Sequence, residues 1–262
     1  MRLYNNPRKK TFMNTCTLTW LGQGGYALNI AGKTIYLDPY MSDMVGKKEK
    51  LKRLVPPPIA PVTHPNEPAG SPGTPEHARP DYYLATHDHM DHLDTDFISR
   101  MNCDGVQFIC PESCKKALLA LDKGMAETQI TVVNRGDTLN LDGFALRAVY
   151  ADHTPDSVGF VIAADDLTVY FTGDTLYNEN VAAGVSADII CCCINGKWGN
   201  MNAEEAVQVA LRSGAKLAIP NHYGMFAENT ADPAIFCAMA EAAGLKTYTM
   251  GHAEAIALKG LL

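Results

Sequence analysis

The chain has 262 residues, 47% of them hydrophobic and 19% charged, the make-up of a folded protein rather than a disordered or fibrous one. Its formal net charge of −7 repels polyanions, which argues against nucleic acid as a partner. No apolar run reaches the ~18 residues that a membrane span needs, so no membrane association is expected.

Residues 1–14 are expected to form a flexible basic tail on a single domain spanning 1–262. The opening "MRLYNNPRKKTFMNT" lacks the apolar stretch and cleavage site of a secretory signal, which points to a cytoplasmic protein. Short apolar runs separated by Gly-containing turns follow: "TLTWL", "YALNI" and "TIYLDPY" read as three strands of a meander. Residues 56–80 hold nine of the fifteen prolines and cannot form a helix or a central strand, so they read as a long loop. Its two histidines, His64 and His77, are assigned to solvent rather than to a site.

"DYYLAT" reads as a strand that delivers "HDHMDH" to its C-terminal edge, on a strand-to-helix connection. "VQFIC" is the next strand, and a helix is expected from about Glu112 to Lys123. Strands then dominate, around "ITVVN", "DTLNL", "FALRAVYA", "VGFVIAA" and "LTVYFTGD". "ADIICCCINGKWGN" reads as a buried strand running into a loop, with Cys191, Cys192 and Cys193 acting as small hydrophobes. The eight cysteines show no zinc-knuckle spacing and no disulfide framework.

Asn202 followed three residues on by Glu205 is a capping box, opening a helix that stops at Gly214. "AKLAIPNH" is a buried strand. Asp232 as N-cap and Pro233 in the first turn start the last helix, closed near Gly244. Strands in two groups with helices interspersed predict an α/β protein of packed sheets with helices outside.

The chemistry concentrates in "THDHMDH", residues 86–92, which takes three of the eight histidines. His87, His89, Asp91 and His92 can divide between two metal ions, but a catalytic divalent ion takes three or more protein ligands and an open position. Further ligands must come from elsewhere. His153 in "VYADHTPDS", Asp174 in "VYFTGDT" and His222 in "LAIPNHYG" each follow an apolar strand and have a Gly or Pro nearby.

With these residues the sequence resembles the metallo-β-lactamase superfamily, and the resemblance implies its αββα four-layer sandwich. Carried over, His87, His89 and His153 would hold one ion, Asp91, His92 and His222 a second, and Asp174 would bridge them. Asp38 in "IYLDPY" would accept the second ring N–H of a ligand histidine. Asp91 would also act in catalysis, orienting the attacking hydroxide and passing a proton to the leaving group. The stretches "LTWLGQGGYAL", "LDPYMSD", "THDHMDHLD", "INGKWGNMNAEEAVQVA" and "AKLAIPNHYGMF" resemble the branch that contains L-ascorbate-6-phosphate lactonase, although "DHTPDS" departs from that branch.

The expected activity is therefore metal-dependent hydrolysis by a metal-bound hydroxide, acting on a small lactone such as that of a phosphorylated sugar acid. The alternatives are a phosphodiesterase of the same superfamily and a non-hydrolytic di-iron redox protein. Histidine and carboxylate ligands suit manganese, zinc or iron; the lactonase resemblance favours manganese, then zinc. It also implies a homo-oligomer.

Two segments are candidates for contact with a small, anionic substrate. "MVGKKEKLKRLV" supplies Lys47, Lys48, Lys50, Lys52 and Arg53, either a phosphate reader at the pocket mouth or a solvated helix face. "NGKWGN" offers Asn195, Lys197, Trp198 and Asn200 on a loop expected to overlook the metals, with Tyr223 beside His222. The same residues suit simple loop packing. His252, after a strand near the C-terminus, is assigned no role.

Overall fold

The computed structural model describes residues 16–57, 60–61, 72–73 and 78–262. The expected basic tail 1–14, His64 and His77 lie outside the described residues. The first sheet is built from β1 (Thr17–Gly22), β2 (Gly25–Ile30), β3 (Lys33–Leu37), β6 (Tyr82–Leu84), β7 (Gln107–Cys110), β8 (Ile130–Val132) and β16 (Ala255–Ala257), in the order β16-β1-β2-β3-β6-β7-β8. β1, β2 and β3 pair antiparallel as the expected meander, while β3, β6, β7 and β8 run parallel. Within the proline-rich segment, β4 (Ala60–Pro61) and β5 (Pro72–Gly73) pair only with each other, an arrangement that needs few backbone N–H donors.

The second sheet comprises β9 (Thr138–Asn140), β10 (Ala145–Tyr150), β11 (Val158–Ala164), β12 (Leu167–Phe171), β13 (Ile189–Cys193), β14 (Leu217–Asn221) and β15 (Lys246–Thr247), ordered β15-β14-β13-β12-β11-β10-β9. Its β9–β12 half is antiparallel and its β12–β15 half parallel. Both seven-stranded sheets are thus mixed.

Strand alternation divides the first sheet between two cores. Ile35, Leu37, Tyr82, Leu84 and Ile109 face the second sheet in the main core, where Tyr26 packs on Phe171 at 5.3 Å and Tyr82 on Phe144 at 5.2 Å between ring centroids. Their neighbours Tyr36, Tyr83, Phe108 and Cys110 face the other way, onto α2 (Thr95–Arg100) and α3 (Glu112–Leu119). The second sheet carries α4 (Ala203–Arg212) and α5 (Pro233–Ala242) against β13 and β14. Helix, sheet, sheet, helix is the four-layer sandwich that the sequence resemblance implies.

Helix ends follow their sequence signals. Asn202 and Glu205 cap each other across the first turn of α4 at 3.0 and 2.9 Å, and Asp232 accepts from Ala234 N at the start of α5. α3 ends at Leu119, four residues short of the expected Lys123. A short helix, α1 (Met44–Glu49), occupies the first part of the basic run and ends on Lys50 in the left-handed conformation. Cys191, Cys192 and Cys193 are fully buried in the interior strand β13, and all eight cysteines are free thiols.

Candidate metal centre

The parallel strands β6, β12 and β14 bring their C-terminal ends to one edge, where ligand sites of such sheets form. β6 runs through Ala85 and Thr86 into the histidine motif. There the backbone turns so that His89 O accepts from His92 N at 3.0 Å and Leu93 N at 2.7 Å, returning His92 toward His87 with 4.2 Å between ring centroids. Asp94 ends the turn. It caps α2 through Phe97 N at 2.9 Å and ties the motif to the 41–42 backbone through Met41 N and Ser42 N.

β12 delivers Asp174 through Gly173, which has φ +60° and lies so close to Thr86 that a Cβ there would stand 2.9 Å from its side chain. Only glycine satisfies both demands. His153 follows β10. His222 follows β14 with φ +61°, and its N–H donates to Gln23 O at 3.0 Å. Asp38 and Gln23 also have positive φ, +45° and +49°. Non-glycine residues in this region carry strain that the surrounding packing must impose, a pattern common at functional sites.

All seven candidate ligands converge. His87, His89 and His153 form one group, Asp91, His92 and His222 another, and Asp174 joins His87 and His92, with the ligand atoms of each group lying within 4.8 Å of one another. His153 Nε2 is 3.1 Å from His89 Nδ1, and Asp174 lies 3.2 Å from His92 Nε2, 3.2 Å from His222 Nε2 and 3.7 Å from His153 Nε2. His87 Nε2 is buried without a hydrogen-bond partner, and His92 Nε2 and Asp174 Oδ1, equally buried, make no hydrogen bond and face each other as an ion pair at 3.2 Å. Buried polar atoms without hydrogen bonds are costly, and a metal ion among these grouped donors would satisfy them. The nitrogen and carboxylate donor set therefore fits divalent metal ions.

Surrounding groups orient the donors. Asp38, fully buried, accepts from His92 Nδ1 at 2.7 Å, Thr86 N at 2.8 Å and Thr86 Oγ1 at 2.6 Å. His153 Nδ1 is 3.0 Å from Gly199 O. Asn200 Nδ2 donates to Asp174 Oδ2 at 2.8 Å. Gln23 Nε2 donates to Asp91 Oδ2 at 2.9 Å and lies 3.5 Å from His222 Nε2. Each contact fixes a ring or carboxylate for its ligand role.

Electrostatics divide the histidines. Burial holds His87 well below the usual imidazole range, and it lowers His153 as well. His92 is as buried, but Asp174, Asp38 and Asp91 outweigh the desolvation and hold it well above that range. Burial likewise opposes the charge on His222, yet Asp174 and Asp91 push it up to about 9. For Asp174 burial raises the carboxyl, but His222 and His92 overcome it and keep the group ionised. Without metal, the site is held together by protonated imidazoles on carboxylates.

The ligands open onto a cavity of about 300 Å³ whose lining includes Asp88, His89, Asp91, His153, Asp174, Asn200 and His222. Of the expected substrate contacts, Trp198 lines this cavity, as does Asn200. Lys52, Arg53, Asn195, Lys197 and Tyr223 do not. Arg53 turns back over the Tyr40 ring at 4.9 Å and donates to Ser42 O and Val55 O, each at 2.7 Å. Lys52 is exposed, and its backbone N–H meets Glu228 Oε2. Asn195 and Lys197 brace the 195–200 loop by donating to Asn229 Oδ1 and Glu228 O. Tyr223 stacks near Trp20 at 4.9 Å, and its hydroxyl reaches Met250 O. His252 packs edge-on to Trp20, outside the ligand groups.

Gln23 is the functional candidate that sequence reasoning passed over. "GQGG" reads as a turn, and the one hint is a large polar residue set among glycines between two apolar strands.

The fold and the ligand arrangement define a metal-binding α/β sandwich of the metallo-β-lactamase type. Residues 17–222 match the model of the β-lactamase superfamily domain, and the chain belongs to that family. It is similar to a UPF0173 metal-dependent hydrolase of Pyrobaculum aerophilum, with 28% identity over 233 residues covering 86% of this chain and 92% of the relative. Among solved structures, Igni18, a metallo hydrolase from Ignicoccus hospitalis, superposes with a TM-score of 0.69 at 22% identity, covering 92% of this chain and 97% of its own. The metallo-β-lactamase fold protein YhfI from Bacillus subtilis gives 0.63 at 15% identity, with 92% and 98% covered. These two likenesses concern the fold.

Proposed function

We propose that the chain is a metal-dependent hydrolase of small carbonyl esters or lactones, working with two divalent ions. The observation that carries this reading is the convergence of seven metal-competent side chains, with a buried unpartnered nitrogen on His87, beside a cavity that five of them line. His87, His89 and His153 would hold one ion and Asp91, His92 and His222 the other, with Asp174 within reach of both groups. Manganese or zinc suits these donors, and iron is a third option. When bound, such ions lower the pKa of a coordinated water and polarise the oxygen under attack.

The chain's own residues do the rest. Asp38 and Gly199 O fix the rings of His92 and His153, and Asn200 holds Oδ2 of Asp174. Asp91, partly exposed to the cavity and tethered by Gln23, would take the proton from the attacking water and pass it to the leaving oxygen.

The phosphate of the phosphorylated sugar-acid lactone suggested by the sequence finds no cationic partner, because no Lys or Arg lies in the cavity lining among the described residues.

The test compares metal-stripped protein with manganese- and zinc-loaded protein on L-ascorbate 6-phosphate, simple lactones, carboxylic esters and bis(p-nitrophenyl) phosphate. Metal-dependent opening of a lactone or ester is the expected result. Asp174→Ala should bind less metal and lose at least a hundredfold in rate. Hydrolysis of the phosphodiester alone, or full activity in Asp174→Ala, overturns the reading.

A further inference from the structure

The charged residues lining the cavity are Glu49, Asp88, Asp91 and Asp174, all carboxylates. Two divalent ions would cancel four negative charges and leave no surplus to hold an anionic substituent. Arg53 is committed to Tyr40, Ser42 O and Val55 O and Lys197 to Glu228 O, and the exposed Lys50 and Lys52 are not among the lining residues.

Apart from the ligand histidines, Asn200 and Asn229, the remaining wall is hydrocarbon. Val45, Leu51, Met90 and Phe226 line the cavity and belong to, or pack on, a small apolar cluster that includes Tyr40 and Met44. Trp198 lines it as well, with 60% of its surface exposed. Its backbone has φ +51°, between Gly196 at +63° and Gly199 at +85°. The loop that holds it there is anchored at both ends, to Asn229 through Asn195 and to the ligands His153 and Asp174 through Gly199 O and Asn200. A large exposed indole on an anchored loop at the rim of an apolar-walled cavity is a platform suited to a hydrocarbon group.

We infer that this pocket selects uncharged substrates carrying a hydrocarbon group beside the scissile centre, and that the group seats on Trp198 and the Leu51, Met90 and Phe226 wall. Placing the scissile centre at the ligands rests on the hydrolase reading above; the seating of the hydrocarbon group does not.

Two measurements separate the claims. The first is kcat/KM of the manganese-loaded protein on γ-butyrolactone, γ-hexalactone and γ-nonalactone, with L-ascorbate 6-phosphate as the anionic comparison. A rise of roughly two- to fourfold per added methylene is expected, with the phosphorylated lactone the poorest of the four. Trp198→Ser should flatten the series mainly through KM while binding as much metal as the parent. A series independent of tail length, or a preference for the phosphorylated lactone, overturns the inference even where lactones are hydrolysed.

The second measurement titrates butanol, hexanol and octanol against tryptophan fluorescence, with Trp198→Ser reporting the buried Trp20 alone. If no lactone is turned over, an affinity that still climbs with chain length, and a signal that vanishes in Trp198→Ser, uphold the seating and defeat only the lactone hydrolysis. An affinity independent of length defeats the seating itself.

Discussion

Replacing Asp38 by asparagine isolates the part that a buried carboxylate plays in holding a ligand histidine. Asp38 receives three buried donors: Thr86 N, Thr86 Oγ1 and His92 Nδ1. Asp38→Asn preserves the shape and the acceptor for Thr86 N. It turns the second oxygen, now facing Thr86 Oγ1 and His92 Nδ1 at 2.6 and 2.7 Å, into an NH2 group that opposes both donors. Hydrogen bonds to a charged group contribute about 1.5–3 kcal/mol each, but the two share one oxygen, and the Thr86 hydroxyl can turn to His87 Nδ1, 3.0 Å away. A net cost of about 3 kcal/mol is expected, which for a chain of this size lowers Tm by about 6–12 °C. His92 loses its fixed tautomer at the same time, so metal affinity should fall about 10- to 100-fold. Calorimetry of the metal-stripped proteins reads the first effect, and zinc titration against a competing chelator reads the second. Zinc affinity within twofold of the parent would refute the orienting role of Asp38, whatever happens to Tm.

Three further outcomes follow from the same geometry. Gln23→Leu, close in size, removes the donor to Asp91 and should lower kcat about tenfold or more with little change in KM, whereas a change in KM alone would show that Gln23 acts on substrate binding instead. His222 has a folded-state pKa of about 9 against 6.5 for the free side chain; its contribution to the metal-free protein is therefore complete below about pH 6.5 and lost as pH rises through about 9. Because a bound ion needs the neutral ring, metal affinity should climb with pH across that window and loading should release protons, so a metal affinity that falls between pH 7 and 9 would contradict the assignment. Cys191 to Cys193 are fully enclosed, and burial pushes the Cys193 thiol up to about 12, so in the folded protein they should resist thiol reagents that label the less buried Cys237 and Cys103; rapid labelling of the three would disprove the packing of β13.

The ligand residues were legible because each stands where an apolar strand gives way to polar chain. His87, His153, Asp174 and His222 all end hydrophobic runs, at the ends of β6 in the first sheet and of β10, β12 and β14 in the second, and the two packed sheets bring those ends to one edge. The substrate side was harder to read. Lys52 and Arg53 promised a phosphate reader on charge alone, but Arg53 spends its guanidinium on Tyr40 and two carbonyls inside its own segment. Sequence offers no sign of that, since a short basic run reads the same whether its side chains face a ligand or fold back.

The alternation that sends Ile35 and Leu37 to one core and Tyr36 to the other, the capping pair Asn202 and Glu205, and the identity of the metal-competent side chains are determined by the sequence itself. They depend on local backbone period, on hydrogen bonds within a single turn and on side-chain chemistry. Gln23 bonding Asp91 across 68 positions and meeting His222 across 199, His222 held at positive φ, and Trp198 raised over the cavity by a loop pinned at Asn229 are decided by the tertiary structure alone. Those placements are set by which distant segments pack together, and no local pattern carries that information.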